Sequence, residues 1–260
     1  MAAATPDYGL IDRAGGGSSI FYPRPDGTTP PRGAEDLAFE VEPAVTLGAR
    51  LYTFDPTFAT VLYFHGNGEV VGDHDEIAPM YGEVGANLLV VDFRGYGRSD
   101  GRPSFATLVS DGPLVARRFH SLLDERGLSA TRLVMGRSLG AHPALEIAAN
   151  AGEGFAGMVI ESGAGNLRRL VARVGEGAEG VADLVAAHEA KIRTIALPAL
   201  FIHGEQDDLI PVSSAAETFD LVGTERKEFV VLPGVGHNDL LWRRYTEYFA
   251  AIEEFLSQLP

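Results

Sequence analysis

The sequence predicts an α/β protein: one mostly parallel sheet of eight strands, with helices on both faces and a small helical cap. Three observations carry that expectation. Short apolar runs alternate with amphipathic stretches along most of the chain, the pattern of buried parallel strands joined by crossover helices. The pentapeptide Gly136-Arg137-Ser138-Leu139-Gly140 stands between an apolar run and a helix-like stretch, as a sharp strand-to-helix turn requires. The residues with reactive side chains fall just past the carboxyl ends of predicted strands, where open α/β sheets bind their ligands.

In chain order, residues 1–34 are rich in Gly, Pro, Ser and Thr and read as an irregular arm, wrapped on the domain or partly disordered. Residues 35–260 read as a single domain. Strands are expected at 37–41 and 45–53, then at 60–64, which runs into His65-Gly66-Asn67-Gly68-Glu69. A helix over 74–85 leads to a strand at 87–92 and the loop Asp92 to Ser99. The helix 104–126 precedes the strand 131–135, which enters the pentapeptide, and the helix 139–150 leaves it. A strand at 156–161 follows. The stretch 162–197 has room for two or three short helices around the break Gly175-Glu176-Gly177, so it is expected to be a small cap bordering a substrate pocket. Strands at 198–202 and 228–232 flank a helix at 213–222. The last helix, 239–258, carries Leu241, Tyr245, Tyr248, Phe249, Ile252, Phe255 and Leu256 on one side, a stripe of helical period.

The chemistry is read at the strand ends. In a Gly-x-Ser-x-Gly turn the serine sits on a strained corner with its hydroxyl projecting from the sheet. Glycines flank it because a side chain at either position would strike the neighbouring strand or helix. Ser138 is therefore the candidate nucleophile, and the Leu139 N–H points at a developing oxyanion, helped by the helix N-terminus. The loop after the third strand offers a second N–H, at Asn67. A serine hydroxyl needs a base to take its proton, and an imidazole does this near neutral pH. His237, in the glycine-rich loop after the last strand, is the candidate. A carboxylate must hold that ring in the right tautomer. Asp207, in the loop beyond His203-Gly204, competes for this role with Asp208 and with Glu161 at the end of the sixth strand. His65 and His203 are expected to brace loops, His74, His120 and His188 to lie on the surface or on helices, and His142 to pack. Asp92 with Arg94 and Arg98 reads as a loop-bracing ion pair. Gly68, Arg137 and Leu167 are candidate substrate contacts, although an arginine at position 137 often just anchors neighbouring loops. No metal-ligand spacing such as His-Glu-x-x-His is present, so no metal is expected.

Taken together, His65-Gly66-Asn67-Gly68, Asp92 to Ser99, Gly136 to Gly140, His203-Gly204-x-x-Asp207 with Pro211, and Gly236-His237 resemble the conserved segments of the α/β-hydrolase superfamily. The likeness spans roughly residues 34–259. Phe21-Tyr22-Pro23 adds a resemblance to its small, nearly lidless members. The resemblance implies the order nucleophile, acid, base (Ser138, Asp207, His237), an acyl-enzyme intermediate, a carboxylic ester or thioester substrate and no cofactor. Peptidase, amidase or acyltransferase chemistry would use the same residues. A binding protein that kept the fold without the chemistry is the rival from another class. A serine at the turn argues against dehalogenase and epoxide hydrolase chemistry, which need an aspartate there.

Composition narrows the partners. The net charge of −15 opposes binding to nucleic acid or anionic membranes. The absence of cysteine excludes disulfides, thiolate metal sites and a cysteine nucleophile. No apolar run is long enough to span a bilayer, and residues 1–10 lack the pattern of a signal peptide, so a cytoplasmic location is expected. Composition leaves the oligomeric state open.

Overall fold

The computed structural model describes residues 5–13, 20–150, 152–174 and 178–260. Its eight strands are β1 (Ala34–Glu42), β2 (Val45–Tyr52), β3 (Ala59–Phe64), β4 (Ala86–Val91), β5 (Arg132–Arg137), β6 (Gly157–Glu161), β7 (Ala199–Gly204) and β8 (Lys227–Leu232). They form one sheet in the order β1-β2-β4-β3-β5-β6-β7-β8. β2 runs antiparallel to β1 and β4, and every other pairing is parallel. All eight expected strands are present, and the sheet is mostly parallel, as expected.

The period-two side-chain alternation of a strand sorts the core into two layers. Leu62 and Phe64 of β3 join the layer under α3 (Phe105–Arg126) and α4 (Ala141–Asn150), with Phe119 and Ile147. Their neighbours Val61 and Tyr63 point the other way, toward α2 (Ala78–Glu83) and α9 (Tyr245–Ser257), with Tyr81, Tyr248 and Phe249. Burial on both faces explains why the central strands β3 to β7 are apolar runs rather than alternating ones.

Three elements differ from expectation. The arm contains a short helix, α1 (Gly9–Arg13). Its Asp12 carboxylate accepts hydrogen bonds from the N–H groups of Phe105 and Ala106 at 2.7 and 3.0 Å, placing a negative charge on the N-terminal end of the α3 dipole. The stretch 74–85 is a turn of 3₁₀ helix at Val71–His74 followed by α2. The expected last helix is broken at Arg244 into α8 (Leu240–Arg243) and α9. Arg244 leaves helical backbone angles there, at φ −131° and ψ 39°, and its side chain donates to the Pro233 carbonyl at 2.9 Å. A helical hydrophobic stripe does not register a break of one residue.

Between β6 and β7 lie α5 (Arg168–Val174) and α6 (Val181–Ile192), and α7 (Val212–Leu221) follows β7. His188 of α6 is buried, not superficial. Its Nε2 bonds the Gly165 carbonyl at 2.6 Å and its Nδ1 bonds the Tyr8 hydroxyl at 2.8 Å. The arm and the 162–197 segment are thereby joined through one imidazole. His74 is likewise buried. Arg94 and Arg98 do not pair with Asp92. Arg94 grips Asp111 through two nitrogens at 2.7 and 2.8 Å, and Arg98 pairs with Asp36. Asp92 instead accepts from the Val71 N–H at 3.0 Å, and Gly97, at φ 53°, passes so close to its carboxylate that a Cβ would overlap it. Among the described residues, no helix is long and apolar enough to cross a membrane.

Candidate active site

β5 ends at Arg137, a turn of 3₁₀ helix spans Ser138–Gly140, and α4 starts at Ala141. Ser138 has φ 52°, a left-handed conformation that costs a non-glycine residue of order 1–3 kcal/mol. A Cβ at Gly136 would overlap the Gly140 carbonyl, and one at Gly140 would overlap the Phe64 carbonyl of β3. The glycines are thus required by close backbone approach, and the turn holds the serine at the carboxyl end of the sheet.

Two distant loops meet it there. His237 Nε2 lies 2.9 Å from Ser138 Oγ, and His237 Nδ1 lies 2.7 Å from Asp207 Oδ2. All three residues are buried. Asp207 Oδ1 accepts the N–H groups of Leu209 and Ile210 at 3.0 and 2.8 Å. His203 Nε2 stands 3.2 Å from Oδ2 and bonds the Ile210 carbonyl at 2.8 Å. Burial alone would favour the neutral acid. The hydrogen bonds from His203, His237 and the Ile210 N–H outweigh it and hold the Asp207 carboxyl well below the usual carboxylate range. With Asp207 ionised, Nδ1 of His237 carries the proton and Nε2 is free to accept from Ser138.

The competing acids point elsewhere. Asp208 is exposed. Glu161 is buried against Tyr248, whose hydroxyl donates to Oε2 at 2.8 Å, and against Arg137 Nε at 3.2 Å from Oε1. Burial raises its pKa against the pull of Arg137.

The loop after β3 lies across from this cluster. The Asn67 side chain is tied down: its Oδ1 accepts from the Tyr22 N–H at 3.0 Å and the Tyr96 hydroxyl at 2.6 Å, and its Nδ2 donates to the Ile20 carbonyl. Asn67 and Leu139 both line the cleft above Ser138. A carboxylate, an imidazole and a hydroxyl thus stand in series, with the hydroxyl on a strained turn after β5.

The sequence pattern of the Hydrolase_4 family, described as serine aminopeptidase, S33, matches residues 55–187. The chain belongs to this family of α/β hydrolases. It is 29% identical over 206 residues to the protein bem46 of Schizosaccharomyces pombe, covering 76% of this chain and 67% of that protein. It is 31% identical over 211 residues to the uncharacterized protein Rv2307c of Mycobacterium tuberculosis, covering 78% of this chain and 72% of that one. The esterase Pf2001 of Pyrococcus furiosus shares the fold with a TM-score of 0.73 at 21% identity, over 92% of this chain and 99% of that structure.

The α/β-hydrolase cleft here measures about 500 Å³. Of the three candidate substrate contacts, only Arg137 reaches it; Leu170 of α5 lines it instead of Leu167, which is buried, and Gly68 is absent from its walls. Gly68 turns the loop at φ 82°, and its carbonyl accepts from Arg24 Nε at 2.7 Å. Leu167 stands just before α5 and turns into the core, and Leu170 within the helix lines the cleft.

Arg137 is spent on the protein. Its guanidinium pairs with Glu69 and Glu161, donates to the His237 carbonyl at 3.1 Å and to Asn238 Oδ1 at 2.8 Å. Burial works against its charge, but the two carboxylates prevail and raise its pKa. It therefore clamps the base loop to the Glu69 loop and the end of β6, the anchoring role among those expected. Nothing in the periodicity of Glu69, Glu161 or Asn238 marks them as its partners. Replacing Arg137 with methionine leaves Glu69 and Glu161 without their cation. Loss of one partner of a buried ion pair costs about 3–5 kcal/mol, and we expect a fall of that size in urea denaturation.

Two histidines near the cleft are buried and neutral. Burial pushes His142 down to about 3 and His188 down to about 4. The unfolded chain takes up protons on both near pH 6.5, and the folded protein does not. Their contribution to stability is therefore complete above about pH 6.5 and is lost as pH falls toward those lower values. The expected slope is about 1.4 kcal/mol per pH unit for each ring, read from denaturation midpoints between pH 7 and 5 and reduced in His188→Gln. Among the described residues, no group of three His, Asp or Glu side chains is placed to hold a metal ion.

Proposed function

We propose that this protein is a serine hydrolase that cleaves a carboxylic ester or thioester through an acyl-enzyme on Ser138. The observation that carries the reading is the unbroken series Asp207, His237, Ser138, with both hydrogen bonds within 2.9 Å. His237 takes the Ser138 proton as Oγ attacks the carbonyl carbon. The oxyanion forms toward the N–H groups of Leu139 and Asn67, each such donor being worth roughly a hundred- to a thousandfold in turnover. The His237 proton then passes to the leaving alcohol or thiol. Water, deprotonated by the same ring, attacks the acyl carbon, and the acid leaves with Ser138 restored. Asp207 keeps the ring oriented and stabilises its cation.

The likeness to a solved esterase supports an ester over an amide, and α5, through Leu170, roofs one side of the cleft. The 162–197 segment thus acts as the cap, and the cleft suits an acyl chain of modest size. A fluorophosphonate probe tests the reading with the whole chain. We expect covalent labelling at Ser138, blocked by prior acylation, with turnover of short p-nitrophenyl esters and of acyl thioesters. A folded protein that neither labels nor turns over any ester, thioester or amide would be a binding module on this fold.

A further inference from the structure

Tyr96 has no part in the acyl-transfer series, yet its hydroxyl reaches the loop that faces Ser138. It stands in the loop after β4, between Gly95 and Gly97, which turn the chain at φ 75° and 53°. Its ring is buried and meets Phe93 edge-on, with centroids 5.7 Å apart. The hydroxyl accepts the Tyr22 N–H at 2.8 Å and donates to Asn67 Oδ1 at 2.6 Å. The same Tyr22 N–H lies 3.0 Å from Asn67 Oδ1, and Asn67 Nδ2 donates to the Ile20 carbonyl. The arm is itself pinned to the Tyr96 loop. The Gly97 N–H donates to the Arg24 carbonyl at 2.8 Å, and the Asp26 N–H to the Gly97 carbonyl at 3.3 Å.

The backbone of Asn67 has little of its own to hold it. Its neighbours are Gly66 and Gly68, the residue type with the widest backbone freedom. Its N–H meets no backbone carbonyl among the described residues. A donor that stabilises a forming oxyanion must point at it before the reaction begins, so the direction has to be fixed through the side chain. Resting on the hydrolase reading above, we propose that Tyr96 is a positioning residue that aims the Asn67 N–H at the oxyanion by holding Asn67 Oδ1. The arm is the second support, through the Tyr22 N–H and the Ile20 carbonyl, and both of these residues line the cleft with Asn67. In Tyr96→Phe the ring stays and its donor is lost, so Asn67 Oδ1 keeps only the Tyr22 N–H.

The test is a double-mutant cycle on hydrolysis of p-nitrophenyl butyrate, with Tyr96→Phe, Asn67→Ala and the pair. Asn67→Ala keeps the backbone N–H and removes the side chain that holds it. We expect each single variant to lose about tenfold or more in kcat/KM, since a small misplacement at a reacting centre costs up to about a hundredfold. Added to Asn67→Ala, Tyr96→Phe should change the rate by less than about twofold, because both act through one contact. Two ketones separate loss of aim from collapse of the cleft. 1,1,1-Trifluoro-2-hexanone takes Ser138 Oγ at its carbonyl carbon, the serine proton passes to His237, and the adduct carries an oxyanion; 2-hexanone binds as the ketone. Ki for the trifluoroketone should rise in Tyr96→Phe by the factor lost in kcat/KM, with Ki for 2-hexanone unchanged. Equal rises for both ketones, losses that multiply in the cycle, or a Tyr96→Phe rate within about twofold of the native one overturn the proposal. If Tyr96→Phe does not fold, Asn67→Ala and the two ketones decide by the same criteria. If the native protein cleaves no ester in a Ser138-dependent way, the hydrolase reading fails and the proposal falls with it. Native turnover beside an unaltered Tyr96→Phe overturns the proposal alone.

Discussion

Ser138→Ala lowers kcat for a p-nitrophenyl ester by at least about ten-thousandfold while the folded protein persists. In the proposed reaction the oxygen removed is the one that forms the acyl bond, so no neighbouring group replaces it. The residue left behind keeps the N–H groups of Leu139 and Asn67, and oxyanion binding alone still accelerates water attack by roughly 10³–10⁴ over solution. That sets the floor of the measurement. Position 138 has φ 52°, strained for serine and alanine alike, so the exchange changes stability little. Circular dichroism and the denaturation midpoint check this beside the assay. Turnover of the pure variant within tenfold of the native protein would remove Ser138 from the chemistry.

Asp207→Asn comes next, with an expected loss in kcat of about 10⁴ at neutral pH. The Leu209 and Ile210 N–H groups already point at one oxygen of residue 207, at 3.0 and 2.8 Å. They hold the amide oxygen of an asparagine, which turns its NH₂ toward His237 Nδ1. That nitrogen must then accept, so the ring proton moves to Nε2, where it faces Ser138 Oγ and blocks proton transfer. The same variant has a stability signature. A carboxyl whose folded-state pKa is depressed contributes stability fully above its unfolded value, about 3.9, and loses it as pH falls through the lower folded-state value. The native protein and the variant should therefore differ most above pH 4 and converge in more acid solution. Glu161→Gln is the control for the competing acid. It leaves the His237 to Asp207 bond in place, and a loss as large as that of Asp207→Asn would reassign the acid.

Some of this was legible along the chain. Strands buried on both faces must be apolar runs, so the central strands β3 to β7 stood out. A turn as tight as Gly136 to Gly140 tolerates few residues, so Ser138 stood out. The cap contact shifted from Leu167 to Leu170, and the last helix broke at Arg244, because which leucine turns into the core and where a helix breaks depend on neighbours that a periodic pattern does not contain. The partners of Arg137 were invisible for the same reason: Glu69, Glu161 and Asn238 are far from it in sequence and meet it only at the end of the sheet.

The amino-acid sequence by itself determined the fold class, the candidate nucleophile and the order of acid and base candidates, since these follow from local patterns: apolar period, glycine at a crowded turn, polar residues at strand ends. Which carboxylate faces His237, what Arg137 holds, and that His142 is buried beside the cleft were decided by the tertiary structure alone. Those are matters of direction and distance across the sheet, and a side chain's direction is set by what packs against it.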